Sequence, residues 1–154
     1  LDKEKGMQLM SYSYFAVAAG GFLGAIARFL MGQWFAYPVH STGFPWGTLV
    51  INLLGCFVLS LFLTVTLDLL VISPFLRLGI STGFLGAFTT FSTFTLETVQ
   101  LFEAHQFWYV GLYLFASIFL CIAMSAFGFI AARGIEQIRD NQSADKGMAG
   151  DLET

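Results

Sequence analysis

The stretch "GFLGAFTTFSTF", Gly83 to Phe94, decides how the chain is read. It lies inside a long apolar run, yet its twelve residues hold four hydroxyls (Thr89, Thr90, Ser92, Thr93), four rings (Phe84, Phe88, Phe91, Phe94), two glycines and no charge. Gly83 and Gly86 are poor helix formers. The Thr and Ser residues after them offer side-chain bonds to backbone that compete with the helical ladder. The mixture predicts a membrane span broken near its middle, with Gly86 and Thr89 close to the centre of a ~30 Å hydrocarbon core. Backbone freed in such a break must be satisfied by protein or by a water-filled path, and its carbonyls can hold a cation. A plain kink at glycine is the competing reading.

Composition supports the membrane setting. Of 154 residues, 56% are hydrophobic and 11% charged, with a mean hydropathy of +0.74; a soluble domain carries about 25% charged residues. The net charge of −3 is small, comes largely from the tails, and gives no reason to expect a nucleic-acid partner. Cys56 and Cys121 both fall inside apolar runs without neighbouring His or Cys, so they read as packed thiols rather than a disulfide or metal pair.

Four apolar segments are readable, over about 14–35, 46–67, 74–101 and 107–132. Each is long enough to cross at ~1.5 Å per residue. Together they make one membrane domain over 14–133. Residues 1–13 read as a flexible N-terminal segment, in part a processed or appended end, and 134–154 as a polar, disordered tail. A cleaved signal peptide competes for the first span through the small residues "AVAAGG" (16–21), but the apolar run continues past them. With four spans, both termini and the second-to-third loop share one side, which holds Lys3, Lys5, Arg77, Arg133, Arg139 and Lys146. The opposite loops have no Lys or Arg, so both termini are expected in the cytoplasm.

Small residues repeat every fourth position in the first span (Ala16, Gly20, Gly24), which suits close helix packing in lipid. Polar residues repeat at the same interval in the second span (Thr48, Asn52, Cys56, Ser60) and in the fourth (Tyr113, Ser117, Cys121, Ser125). Such spacing keeps each set on one helix face. For any single Ser, back-bonding or helix stitching explains it. A buried Asn is harder to satisfy, so Asn52 is expected to face protein or water. Counted from the non-terminal side, Asn52 and Tyr113 lie ~9 Å deep, Phe94 ~10 Å, and Phe91 and Ser117 ~15 Å. Neutral donors and ring edges from three spans thus share one slab of membrane.

No Asp or Glu lies at central depth; Glu97 sits about one turn from the end of the third span and Asp68 at the exit of the second. Proton relays and cation-coupled carriers use a buried carboxyl group. Donors such as the Asn52 amide, the Thr48, Tyr113 and Ser117 hydroxyls and the positive ring edges suit a small anion instead. Arg28 either raises anion concentration in a vestibule, snorkels, or pairs with Glu97 at similar depth. Both His residues, His40 and His105, fall in linkers, and no Ser–His or carboxyl pair lies at membrane depth, so an intramembrane enzyme is not expected.

"GGFLGAIARF" (20–29), "GTLVINLLGCF" (47–57) and "GFLGAFTTFSTF" (83–94), in that order over four spans, resemble the Fluc (CrcB) fluoride channels. The resemblance covers Tyr14 to Arg133. It implies a fluoride-selective passive channel of the bacterial inner (plasma) membrane, four helices per subunit with the third broken, and an antiparallel dimer with two pores. On that resemblance Phe91 and Phe94 line the pores, with Asn52 a neighbouring donor and Thr48 beside it. Tyr113, Ser117 and Cys121 form a polar track, although Cys121 stands where a hydroxyl is expected and a thiol is the weaker donor. A structural Na⁺ at the dimer axis is implied on the backbone carbonyls of Gly86 and Thr89. Homodimers inserting in both orientations and heterodimers of two oppositely fixed chains both occur in such proteins, and the charge bias here leaves either open. The alternative is a small four-span, dimeric, proton-coupled multidrug exporter, which needs an acidic residue in the first span where this chain has Arg28.

Overall fold

Runs of apolar residues without proline set the long elements. The computed structural model describes residues 2–35, 43–70 and 72–151, with side chains over 10–35, 43–68, 70 and 72–139. His40 lies outside the described residues. All regular structure among them is helical. The helices are α1 (Asp2–Trp34), α2 (Trp46–Thr64), α3 (Pro74–Leu78), α4 (Gly86–Phe88), α5 (Phe91–Glu103) and α6 (Phe107–Asp151), with π-helical segments at Val65–Leu69 and Gly79–Leu85. Among the described residues three stretches are long and apolar enough to cross a membrane: Met10–Trp34, Trp46–Asp68 and Phe107–Arg139.

α1 begins at Asp2, and α6 runs to Asp151. A formed apolar helix supplies the costly nucleus, after which Lys, Glu, Gln and Ala add turns at little cost.

Glycines bring α1 against the Gly79–Leu85 segment. A Cβ on Gly20 would strike the Gly79 carbonyl, and one on Gly24 the Phe84 carbonyl; one on Gly83 would come within 2.7 Å of the Val17 carbonyl oxygen. Backbone meets backbone along this seam, as small residues at four-residue intervals allow.

The interruption between α4 and α5 falls later than glycine content suggests. Gly86 keeps helical dihedrals (φ −65°, ψ −36°), whereas Thr89 (φ −75°, ψ 157°) and Thr90 (φ −147°, ψ 125°) are extended. Gly83 serves packing, and the hydroxyls shape the turn. Thr89 Oγ1 donates back to the Leu85 carbonyl at 3.0 Å, ending one helix, and Thr90 Oγ1 accepts from Thr93 N–H at 3.2 Å, capping the next.

Polar contacts at one end tie the segments together. Arg133 pairs with Asp68 at 3.2 Å and Glu136 at 2.7 Å, and Arg77 Nη2 donates to the Thr66 carbonyl at 2.8 Å. That end of α2 therefore lies beside the start of α3 and the last apolar turns of α6.

Candidate functional site

The two polar stripes face each other in register. Ser60 Oγ donates to the Ser125 carbonyl at 2.7 Å, a pairing of residues 65 apart. The same offset joins Thr48 with Tyr113, Asn52 with Ser117 and Cys56 with Cys121. A constant offset means that α2 and α6 run parallel, so a four-residue period on both makes a ladder of side-chain rungs.

The first rung is closed by a third element. Thr48 Oγ1 donates to Glu97 Oε1 at 2.8 Å and Tyr113 OH to Glu97 Oε2 at 2.7 Å. Both hydroxyls are buried, Tyr113 completely. Their donors are thus committed to Glu97, a residue the sequence placed at the right depth but not in this role. Tyr113 also packs on Phe94, with ring centroids 5.0 Å apart, and edge-on against Phe44 at 5.6 Å.

At the second rung Asn52 grips the extended backbone. Its Nδ2 donates to the Thr90 carbonyl at 2.9 Å, and Thr90 N–H donates to its Oδ1 at 2.8 Å. In a continuous helix Thr90 N–H would reach back to the Gly86 carbonyl. Here it does not, so that carbonyl loses its usual donor. An amide carries two N–H donors, and only one of Asn52's is spent on Thr90.

A groove of about 320 Å³ runs beside these rungs and brings together Asn52, Cys56, Phe91, Phe94, Ser117 and Cys121. Thr89 and Thr90 also line it, and among the described residues no charged side chain does. Phe91 and Phe94 stand with centroids 5.7 Å apart; Phe94 is half-buried, while Phe91 is 79% exposed at the rim. A second cavity of about 390 Å³ holds Arg28, Thr48, Thr93 and Glu97, and Thr90 borders both spaces. Arg28 and Glu97 share that cavity without forming an ion pair.

Five of the residues expected at the site line this groove, whereas Thr48, expected beside Asn52, and Tyr113, expected in the polar track, donate to Glu97 instead. Sequence reasoning missed Thr90 and Glu97 as organising residues. The signal for Glu97 was present: one carboxyl group three residues after Phe94, at the level of the first rung. Gly86 is exposed and helical, and Thr89 lies on the groove wall.

A family model described as "CrcB-like protein, Camphor Resistance (CrcB)" matches residues 15–129. The chain is 42% identical over 118 residues to the "Fluoride-specific ion channel FluC" of Geobacter sulfurreducens, covering 77% of this chain and 94% of that one. It is 41% identical over 121 residues to the protein of the same name in Rhizobium etli, covering 79% and 96%. Against "Fluoride-specific ion channel FluC 1" of Moorella thermoacetica the identity is 48% over 109 residues, covering 71% and 76%.

Proposed function

The chain belongs to the CrcB-like family, and from that premise we propose that it is a fluoride-selective passive channel, not an enzyme. The observation that carries this reading is the groove itself, which Asn52, Ser117, Cys56, Cys121, Phe91 and Phe94 line together. Fluoride binds its water tightly, so a selective path must replace that shell with fixed donors as the ion enters. The uncommitted Asn52 N–H, Ser117 and the electropositive edges of Phe91 and Phe94 are such donors. Cys121 extends the wall with a weaker one. Thr48 and Tyr113 act through Glu97, fixing the rung against which Phe94 rests. Arg28 stands in the adjoining vestibule, where a cation concentrates anions.

On this reading Pro74 to Glu103 is the third of four spans, broken at Thr89–Thr90 near the middle of the bilayer. The subunit pairs with an antiparallel copy, or with a paralogous chain of fixed opposite orientation, and two pores form between them. The exposed ring of Phe91 suits such an arrangement, because the groove is open on the side a partner would cover. A structural Na⁺ at the dimer axis fits the Gly86 and Thr89 carbonyls: hard cations take oxygen ligands, and the diverted Thr90 N–H leaves the Gly86 oxygen without its helical donor.

The physiology needs no coupling. Fluoride enters acidified cells as neutral HF and is trapped as the anion. An inside-negative potential across the bacterial inner membrane drives a monovalent anion outward, by about 2.3 kcal/mol per 100 mV. Liposomes containing the purified protein, loaded with fluoride or chloride and followed with ion-selective electrodes, test the assignment. Rapid fluoride loss with chloride retained is expected. Equal loss of both, or no fluoride loss, overturns it, and proton-driven uptake of organic cations would mark an exporter.

A further inference from the structure

The third rung of the ladder places the chain's two cysteines together. Cys56 and Cys121 come from different helices, both line the groove, and the 65-residue offset that bonds Ser60 to Ser125 one turn further on sets them at the same rung. They are half-buried and unbridged. Below them the Ser60–Ser125 bond pins the register, and Phe57 stacks on Phe127 at 5.6 Å. Gly128 lets α6 press against the backbone of α2, since a Cβ there would come within 2.5 Å of the Phe57 carbonyl oxygen. The sulfurs are therefore held by a close-packed helix pair and not by mobile loops.

We propose that Cys56 and Cys121 form a two-thiolate site for a soft divalent cation that accepts linear coordination, and that a bound ion obstructs the groove. Soft thiolates select soft metals, and the ligand is the deprotonated sulfur. Two S–H bonds break, two S–metal bonds form, and two protons leave to solvent. A divalent ion on two thiolates is neutral, which a site at membrane depth tolerates far better than the anionic complex a monovalent ion would give. Hard cations find no oxygen cluster at this rung.

Mercuric ion is the probe, applied to the full-length protein in detergent. Thiolate–mercury absorbance is expected to saturate at one ion per chain with release of two protons. Because both ligands are held together, the metal should survive about a hundredfold more competing monothiol than in C56S or C121S. Equal stripping from wild type and single variants, or release of one proton per ion, overturns the proposal. Should a serine variant fail to fold, the wild-type proton count decides. In liposomes, wild-type fluoride efflux should stop at one ion per chain and return with dithiothreitol. Whatever efflux the serine variants retain should resist that dose, and efflux unaffected in the mercury-loaded wild type would refute obstruction. The binding arm involves no fluoride, so its failure is distinguishable from failure of the channel assignment.

Discussion

Two stretches with the same four-residue period do opposite work. On α1, Ala16, Gly20 and Gly24 face the Gly79–Leu85 backbone, and their value lies in what they lack. On α2, Thr48, Asn52, Cys56 and Ser60 face a matching stripe on α6, and their value lies in what they donate and accept. The first seam is held by contact alone and tolerates no added atom. The second is positioned by hydrogen bonds that lipid cannot replace. Equal periodicity therefore reports only which face is used; the chemistry of the residues reports how.

Five substitutions, one of them a control, break or sharpen that contrast. The largest effect is expected from Phe94→Ile, which removes the ring between Tyr113 and the groove. Fluoride efflux should fall to the leak of protein-free vesicles while the elution position on size exclusion stays that of wild type; normal efflux would take the ring out of the mechanism. Asn52→Leu comes next, because it orphans both Thr90 backbone groups, at about 1–3 kcal/mol for each if buried. A thermal unfolding midpoint unchanged from wild type would show that the polar seam does not position the break.

Gly24→Ala tests the other seam. Its added carbon strikes the Phe84 backbone carbonyl, which cannot swing aside, and overpacking of this kind costs at least about 1–3 kcal/mol. Gly32→Ala is the internal control, since nothing lies within 4 Å of that site, and a small gain of roughly 0.5–1 kcal/mol is expected from helix propensity. Equal thermal shifts for the two would erase the distinction. The smallest loss belongs to Glu97→Gln, which keeps one acceptor oxygen and loses the other. A drop of about 0.5–1.5 kcal/mol in unfolding free energy is expected, matching one hydrogen bond.

Much of this was legible in sequence because bilayers make polar groups conspicuous. Asn52, Phe94, Ser117 and Cys121 were placed by span, face and depth, and they line one groove. Glu97 was weighed as a partner for Arg28 but not for Thr48 and Tyr113, because its reach across to them depends on the tilt of α5, which no period encodes. The position of the break was also offset. Glycine weakens a helix, but Gly83 is used for packing against Val17, and the extended residues are the two threonines that have other partners for their backbone and side chains. The cysteines looked solitary in sequence because their relation appears only once the offset between α2 and α6 is known.

The two-way grip of Asn52 on Thr90 has a mechanical consequence. Within a helix a residue's N–H and C=O point in opposite directions along the axis, so one planar amide cannot engage both. Only an extended residue presents them side by side, as a strand does to its neighbour. The amide therefore behaves as a latch that recognises the bent chain and rejects the straight one, making the orientation of α5 and the height of α2 a single degree of freedom.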